Sequence, residues 1–413
     1  MKKSVAVLVA VLLLTMGLTA CVVNKEQPIS GASDDETFQQ EDKTGGEVLT
    51  DNEEQQNYAK IEAEENTYGS APYLSLTYNV PTYSLDSSVE RVIYSYDINT
   101  KQLKEECVLT AGVYKNDTAV FSRENNTVYY SALADPKKYA KGDSIWAYNI
   151  ETGEVLKLED ENRVNYGFTV LDPETLLVYG HVLINHGAVV PALLDLESKT
   201  YINMSNSDDN LEYITSLLSP NYYNYKTQRF VCIYCNYEEF VSDDYRAGKT
   251  ELTYYVALAS KDLTVDEDKI FAYTAKINEL CVSEAIQISE NELLLSMRRG
   301  NDCGLQLEYY SLVFSDEGTI LTKVDCPYPY ADYVGNLCTI DGGNTYFFYL
   351  LKEDKLGNTP GVYSYCPKTD ELTPILLNDP EKGNGIIRFT IVGSDCETDE
   401  SQENCQSGAN AEE

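Results

Sequence analysis

One short phrase is written into this chain several times over. Ile93-Tyr94-Ser95-Tyr96-Asp97-Ile98-Asn99-Thr100-Lys101-Gln102-Leu103 returns as Ile145-Trp146-Ala147-Tyr148-Asn149-Ile150-Glu151-Thr152-Gly153-Glu154-Val155. Further copies stand at 193–199, 254–261 and 362–369, with a weaker one around Val313. Each is a run of β-branched and aromatic residues, a short polar turn and a second run, which is the pattern of a hairpin. Such a unit cannot bury its apolar surface alone, so the copies must pack on one another.

Anchored on Asp97, Asn149, Asp195, Ala257, Val313 and Cys366, the copies are 52, 46, 62, 56 and 53 residues apart. Units of this length with room for four strands and no amphipathic helix predict an all-β, six-bladed β-propeller of four-stranded antiparallel blades over residues 71–393. In the second unit the strands fall at 118–122, 127–131, 144–150 and 154–158; inner strands are expected at 167–171 and 285–289. The first unit is one strand short, because only 74–80 precedes its phrase, and a spare strand at 386–392 follows the sixth. The spare strand is expected to complete the first blade and leave no open edge. The pattern resembles the six-bladed TolB-like class of bacterial propellers. No Trp-Asp pair ends the units and Gly342-Gly343 occurs in one of them only, so neither WD40 nor kelch repeats are supported. Seven blades is the rival count.

The chain opens Met1-Lys2-Lys3, continues through an apolar run from Val5 to Leu14 and reaches Leu18-Thr19-Ala20-Cys21. A basic head, an apolar core of roughly ten residues and small residues before the cut describe a secretory signal, too short to span a bilayer. Leu18–Cys21 resembles the lipobox of bacterial lipoproteins. The resemblance implies a signal peptide at 1–20, lipidation of Cys21 by a diacylglycerol thioether, and dual acyl anchoring to the cell membrane, facing outside the cytoplasm.

The chain carries a formal charge of −36. Residues 22–70 hold 13 acidic and 3 basic residues, and 394–413 hold 7 acidic and none basic. Poor in apolar residues and self-repelling, both segments are expected to be disordered, with 21–70 a lipid-anchored linker and 394–413 an acidic tail. A coil of the linker's length reaches on the order of 40 Å. With both segments and the basic head set aside, the ring still carries −21. That sign argues against nucleic acid and against adhesion to anionic lipid. Removing Cys21 from the eleven cysteines leaves ten, which admits disulfides, although a body this large needs none. Cys396 and Cys405 are the local pair that bridges with least strain.

Antiparallel order puts the a-to-b and c-to-d turns at one end of the ring and the b-to-c and d-to-a connections at the other. The first set is short, as at 123–126 and 341–344; the second is long, as at 132–143, 204–212, 237–250 and 325–335. Long loops on a rigid ring are where binding residues gather. On that top face Lys137 and Lys138, with Lys141, and Arg298 with Arg299 stand out from the acidic background as ligands for an anionic group. Tyr237, Tyr245, Tyr328, Tyr330 and Tyr333 offer amphipathic contacts to a protein or sugar. Solvated lysines paired locally, and tyrosines that are simply strand residues among 34, are the competing readings.

Catalytic and metal motifs are thin, and no cofactor is expected. His181 and His186, five apart with no carboxylate or cysteine between them, match no zinc-protease helix motif, and no Gly-x-Ser-x-Gly elbow, phosphate loop or Ser-x-x-Lys pair occurs. Cys232 and Cys235 point to opposite faces of a strand and cannot share an ion there. The acidic turn 206–212 lacks the glycine and spacing of a calcium loop. The residues therefore point first to a lipid-anchored propeller that binds a protein, peptide or glycan as scaffold or sensory accessory. A hydrolytic, for instance carbohydrate-active, enzyme using top-face carboxylates and a purely structural envelope component are the alternatives.

Overall fold

The computed structural model of the protein describes residues 72–81, 88–112, 118–135, 142–159, 163–182, 190–203, 223–299, 307–331, 334–379 and 386–393, all within the unit Tyr68–Glu413. The signal, linker and tail expected at 1–20, 21–70 and 394–413, with Cys21, Cys396 and Cys405, lie outside them.

Six blades follow from strand pairing. The first joins β1 (Tyr73–Pro81), β2 (Ser88–Asp97) and β3 (Gln102–Gly112) to the last strand, β24 (Ile386–Val392), in the order β24-β1-β2-β3. The second runs β4 (Ala119–Ser122), β5 (Thr127–Leu133), β6 (Asp143–Asn149), β7 (Val155–Lys157). The third runs β8 (Arg163–Asp172), β9 (Thr175–Val182), β10 (Val190–Asp195), β11 (Tyr201–Asn203). One bridge, Asp143 with Arg163, makes these two blades a continuous sheet. The fourth contains β12 (Tyr223–Asn224), β13 (Arg229–Cys235), β14 (Leu252–Ser260) and β15 (Val265–Ala275). The fifth contains β16 (Leu280–Ser289), β17 (Glu292–Arg299), β18 (Leu307–Ser315) and β19 (Gly318–Val324). The sixth contains β20 (Gly335–Thr339), β21 (Tyr346–Leu350), β22 (Gly361–Cys366) and β23 (Glu371–Leu377). All pairings are antiparallel. The expected six blades, and the completion of the first by the C-terminal strand at 386–392, are thus observed.

Burial grades from the axis outward. Every residue of β5 is buried, whereas the outermost β19 is exposed at most positions. The inner strands lie between neighbouring blades and have apolar residues on both faces; the outer strands do not. The core is accordingly a set of wedges between blades. One cluster joins Phe230 and Leu263 of the fourth blade to Leu171 and Tyr179 of the third; another joins Val231 and Val256 to Leu293 and Leu312 of the fifth.

The repeated phrase has a local chemistry. Asp97 Oδ1 accepts hydrogen bonds from the Thr100 N–H (2.8 Å) and hydroxyl (3.1 Å), Asn149 Oδ1 does the same with Thr152, and Asp195 Oδ1 with Ser198. Each turn then passes through a left-handed residue, Lys101, Gly153 and Lys199. An Asx residue closing on the chain two or three residues ahead forms such a turn without help from tertiary contacts. In the sixth blade Cys366 takes the Asx place, and the Thr369 hydroxyl and N–H hold its thiol below the usual cysteine range.

These turns are stitched across blades at the bottom of the ring. Arg123, from the second blade, forms an ion pair with Asp97 of the first at 3.2 Å with both side chains more than nine-tenths buried, and its guanidinium lies 4.0 Å from the centre of the Tyr73 ring. Burial works to raise the Asp97 carboxyl, but Thr100 and Arg123 hold it below the usual range. Asn125 reaches the Pro173 carbonyl of the third blade at 2.7 Å.

The ring is closed by seven residue pairs, from Tyr73 with Val392 to Asn79 with Ile386. Alternate side chains of β24 enter different wedges: Ile391 packs with Leu74 and Phe347 between blades six and one, Val392 with Tyr73 and Phe121 between one and two. Tyr225, in the a-to-b turn of the fourth blade, places its hydroxyl 2.7 Å from the Val170 carbonyl and 3.1 Å from that of Ile391. Its side chain therefore ties the fourth blade to the inner strands of the third and the first. A Cβ at Gly393 would lie 2.6 Å from the Tyr225 ring, so glycine is required for this approach.

A chain ending at Gly385 is expected to aggregate or be proteolysed, because the inner edge of β1 is then bare, while one ending at Gly393 is expected to fold. Gly393→Ala should cost about 1–3 kcal/mol through overpacking, readable as a lower urea midpoint. Equal stability of both truncations would contradict the assigned closure.

Candidate functional site

Loop length divides the two ends of the ring. The a-to-b and c-to-d turns hold two to six residues, while the connections at the other end reach sixteen residues at 236–251 and nineteen at 204–222. Lys137, Lys138 and Tyr333, expected at the top end, lie outside the described residues, as do Lys141 and the turn 206–212. The backbone of Tyr237 and Arg299 is described and their side chains are not.

The 236–251 connection is helical, which the strand period does not anticipate. Asn236 caps α1 (Tyr237–Val241) by accepting from the Glu239 N–H at 3.2 Å, and Ser242 caps α2 (Asp243–Arg246) by accepting from the Tyr245 N–H at 3.1 Å. The capping residues are present in the sequence, and Asp243 and Asp244 in the first turn of α2 favour its N-terminus. The helices carry Tyr245 downward. It is 1 % exposed, its hydroxyl lies 2.6 Å from that of Tyr254, and it packs against Phe240 at the top of the wedge between blades four and five. This corrects the expectation that Tyr245 presents a contact to a partner.

Tyr328 is corrected in the same way. The connection 325–334 drops into the wedge between blades five and six, where Tyr328, at 0 % exposure, stacks near Phe348 (4.9 Å) and Tyr365 (5.1 Å). Its hydroxyl donates to the Asp354 carboxylate, which also accepts the N–H groups of Leu356 and Asn358. Asp354 belongs to the 351–360 connection, and the Lys355 N–H adds a bond of 3.0 Å to the Tyr330 carbonyl, so the two long connections of the sixth blade are tied together. Tyr330 is half-buried, with its hydroxyl donating to Asp370 at 2.7 Å. Only its outer edge is open to a partner.

Arg298 ends up beside a group that no sequence motif marks. It is half-buried on β17 opposite Cys281, and its charge reaches both Cys281 and Glu284 of β16. Glu284 is 8 % exposed, inside the inner strand β16, and accepts the backbone N–H of Asn336 from the inner strand of the sixth blade. Both strands bulge there, between Val282 and Glu284 and between Gly335 and Cys338, which lets a carboxylate replace a packed apolar contact. Burial pushes the Glu284 carboxyl up to about 7 against the lowering effects of Arg298 and the Asn336 N–H. A charged residue in Cys281-Val282-Ser283-Glu284-Ala285-Ile286 was the available signal; the expected inner strand began one residue after it.

Among the described residues no three His, Cys, Asp or Glu side chains converge to hold a metal, and seven cysteines, Cys107, Cys232, Cys235, Cys281, Cys326, Cys338 and Cys366, are free thiols. Cys232 is partly exposed and Cys235 buried, with the two on opposite faces of β13.

No protein-family model and no curated protein matches the chain. Solved structures similar to it include the β-propeller domain of the Trilobed protease from Pyrococcus furiosus, at 13 % identity and a TM-score of 0.39 over 76 % of this chain and 83 % of that one. An oligogalacturonate lyase from Vibrio parahaemolyticus is similar at 9 % identity and 0.39 over 78 % and 98 %, and a putative TolB from Agrobacterium tumefaciens at 8 % and 0.38 over 78 % and 99 %. The blade count and closure of this chain rest on its own strand pairing.

Tyr328→Ala is expected to cost about 3–5 kcal/mol, as for a large core side chain, measured by urea unfolding; a loss under about 0.5 kcal/mol, normal for a surface loop, would return Tyr328 to the exposed set. For Glu284 the folded state keeps a proton that the unfolded state releases above its ordinary value of 4.5. Stability is therefore lost as pH rises from about 4.5 to about 7 and levels off above, with a slope of at most about 1.4 kcal/mol per pH unit. Glu284→Gln should flatten that slope and gain on the parent protein at pH above 7; parallel pH profiles would contradict the buried carboxyl.

Proposed function

We propose that the propeller is a binding module that engages a protein, peptide or glycan through its long-loop end, held outside the cytoplasm by lipid on Cys21 with residues 22–70 as its tether. The observation that carries this reading is the contrast between the ends. The bottom is locked by short Asx turns, a buried ion pair and Tyr225, which ties the fourth blade to the third and the first. The top has the long connections and the departures from an acidic background. With Tyr245 and Tyr328 committed to the wedges and the Tyr330 hydroxyl held by Asp370 of a bottom turn, the contact set is Arg298, Arg299, Lys137, Lys138, Tyr237 and Tyr333.

One observation favours the hydrolytic alternative, since a carboxyl that titrates near 7 suits general acid catalysis. Glu284 is enclosed between two blades and bonded to a backbone N–H, which makes a structural staple the better reading.

The test uses the full chain as bait in its own envelope extract. Changing Lys137, Lys138 and Arg299 together to Ala should weaken capture of the recovered partner about tenfold or more, the scale of an interface anchor of 1.4–2 kcal/mol, with the thermal midpoint unchanged. Glu290→Ala with Asp316→Ala, on bottom turns, should bind as the parent does. In the same cells Cys21→Ala should move the protein from the membrane fraction to a soluble one. Loss of capture with the bottom pair alone would place the working surface at the other end, and detergent-dependent membrane retention of Cys21→Ala would remove the lipid anchor.

A further inference from the structure

Apart from the single bridge at Arg163 of β8, the innermost strands have no sheet neighbour on the axial side, so backbone N–H and C=O groups face the axis and need partners there. Tyr225 supplies a hydroxyl to two such carbonyls, those of Val170 and Ile391. Adjoining it, the inner strands of four blades line a partly open cavity of about 10 Å3, formed by Tyr223 and Asn224 of β12, Ile286 and Gln287 of β16, Thr339 of β20 and Thr390 and Ile391 of β24.

Two of these side chains have hydrogen-bonding capacity to spare. Gln287 is 3 % exposed; its Oε1 accepts from the Thr227 hydroxyl at 2.7 Å, and its Nε2 is buried with no partner. A buried amide left dry costs about 1–3 kcal/mol. Thr390 Oγ1 has only long contacts, 3.5 Å to Thr169 Oγ1 and 3.4 Å to the Ile391 carbonyl. Thr339, by contrast, already donates to Asp341 and accepts from the Gly343 N–H, at 3.0 Å each. The cavity thus needs an acceptor for Gln287 Nε2 that can also bond a hydroxyl, and its volume is on the order of what one water requires. A carboxylate, phosphate or sugar does not fit.

We propose that this axial cavity is a binding site for a single internal water, which accepts from Gln287 Nε2 and bonds Thr390 Oγ1. The water joins the fifth blade directly to the closing strand β24 and passes over the sixth. It is a fixed part of the closure, on the same footing as Tyr225.

Crystals of the full chain grown in chloride and in bromide test this. At atomic resolution both should show one peak about 2.7–3.2 Å from Gln287 Nε2, without anomalous signal in bromide. An unoccupied cavity, or an anomalous bromide peak marking a halide, overturns the proposal. In solution, water-oxygen relaxation dispersion should count one fewer long-lived water in Gln287→Met than in the parent; an equal count overturns it. Thr390→Val, on the opposite wall, gives the same reading should Gln287→Met fail to fold.

Discussion

Everything in this ring depends on one edge being satisfied. A stack of four-stranded blades has no end of its own, and the first blade, made from 73–112 alone, would expose the inner edge of β1 to whatever strand came by. Residues 386–392 fill that edge, and they do so while contributing Ile391 to one wedge and Val392 to another. The closing strand is therefore held by ladder bonds, by two separate apolar cores and by Tyr225 from the opposite side of the axis. Nearest-neighbour packing of the kind found in open repeat arrays becomes cyclic, and each wedge is stabilised by those on either side.

The same logic explains how a ring with a formal charge of −21 folds. Charge lies mostly on turns and outer strands, where water screens it, and buried ionic groups among the described residues meet specific partners. Arg123 has Asp97 and the face of Tyr73; Glu284 has the Asn336 N–H and the nearby charge of Arg298. At the long-loop end the chain uses phenols where a larger core would use aliphatics. Tyr245 and Tyr328 each fill a wedge with a ring and use the hydroxyl to hold the connection that delivered them, Tyr245 at Tyr254 and Tyr328 at Asp354. The long connections are consequently anchored at their roots, and what they offer a partner is confined to their outer parts.

The architecture was legible because its signal is local and repeated. Asp97, Asn149 and Asp195 mark the same turn in three blades, and the missing strand before β1 and the spare one at 386–392 could be counted directly. Even the weak copies made sense of themselves: in the fourth and fifth blades Ser260 and Ser315 end the equivalent strands, a few residues beyond Ala257 and Val313, where the phrase itself is anchored. What could not be read were contacts made at long range. Nothing near Tyr328 in the sequence announces Phe348 or Asp354, so a tyrosine-rich loop looked like a binding surface. Tyr225 resembled any turn tyrosine until its hydroxyl was seen at Ile391, 166 residues away. Glu284 was overlooked because its partner N–H belongs to the next blade. The helical caps at Asn236 and Ser242 are present in the sequence, but the strand period does not point to them.

Closure by β24 is the central claim, and native-state amide hydrogen exchange of the full chain tests it most directly. If β24 holds the ring together, the amides of 386–392 that bond to β1 exchange only through the same global opening that exposes the buried strand β5, with matching free energies and matching denaturant dependence. If those amides instead exchange through a separate low-energy opening while β5 stays protected, the last strand is an appendage on a ring that is stable without it, and closure by β24 is refuted.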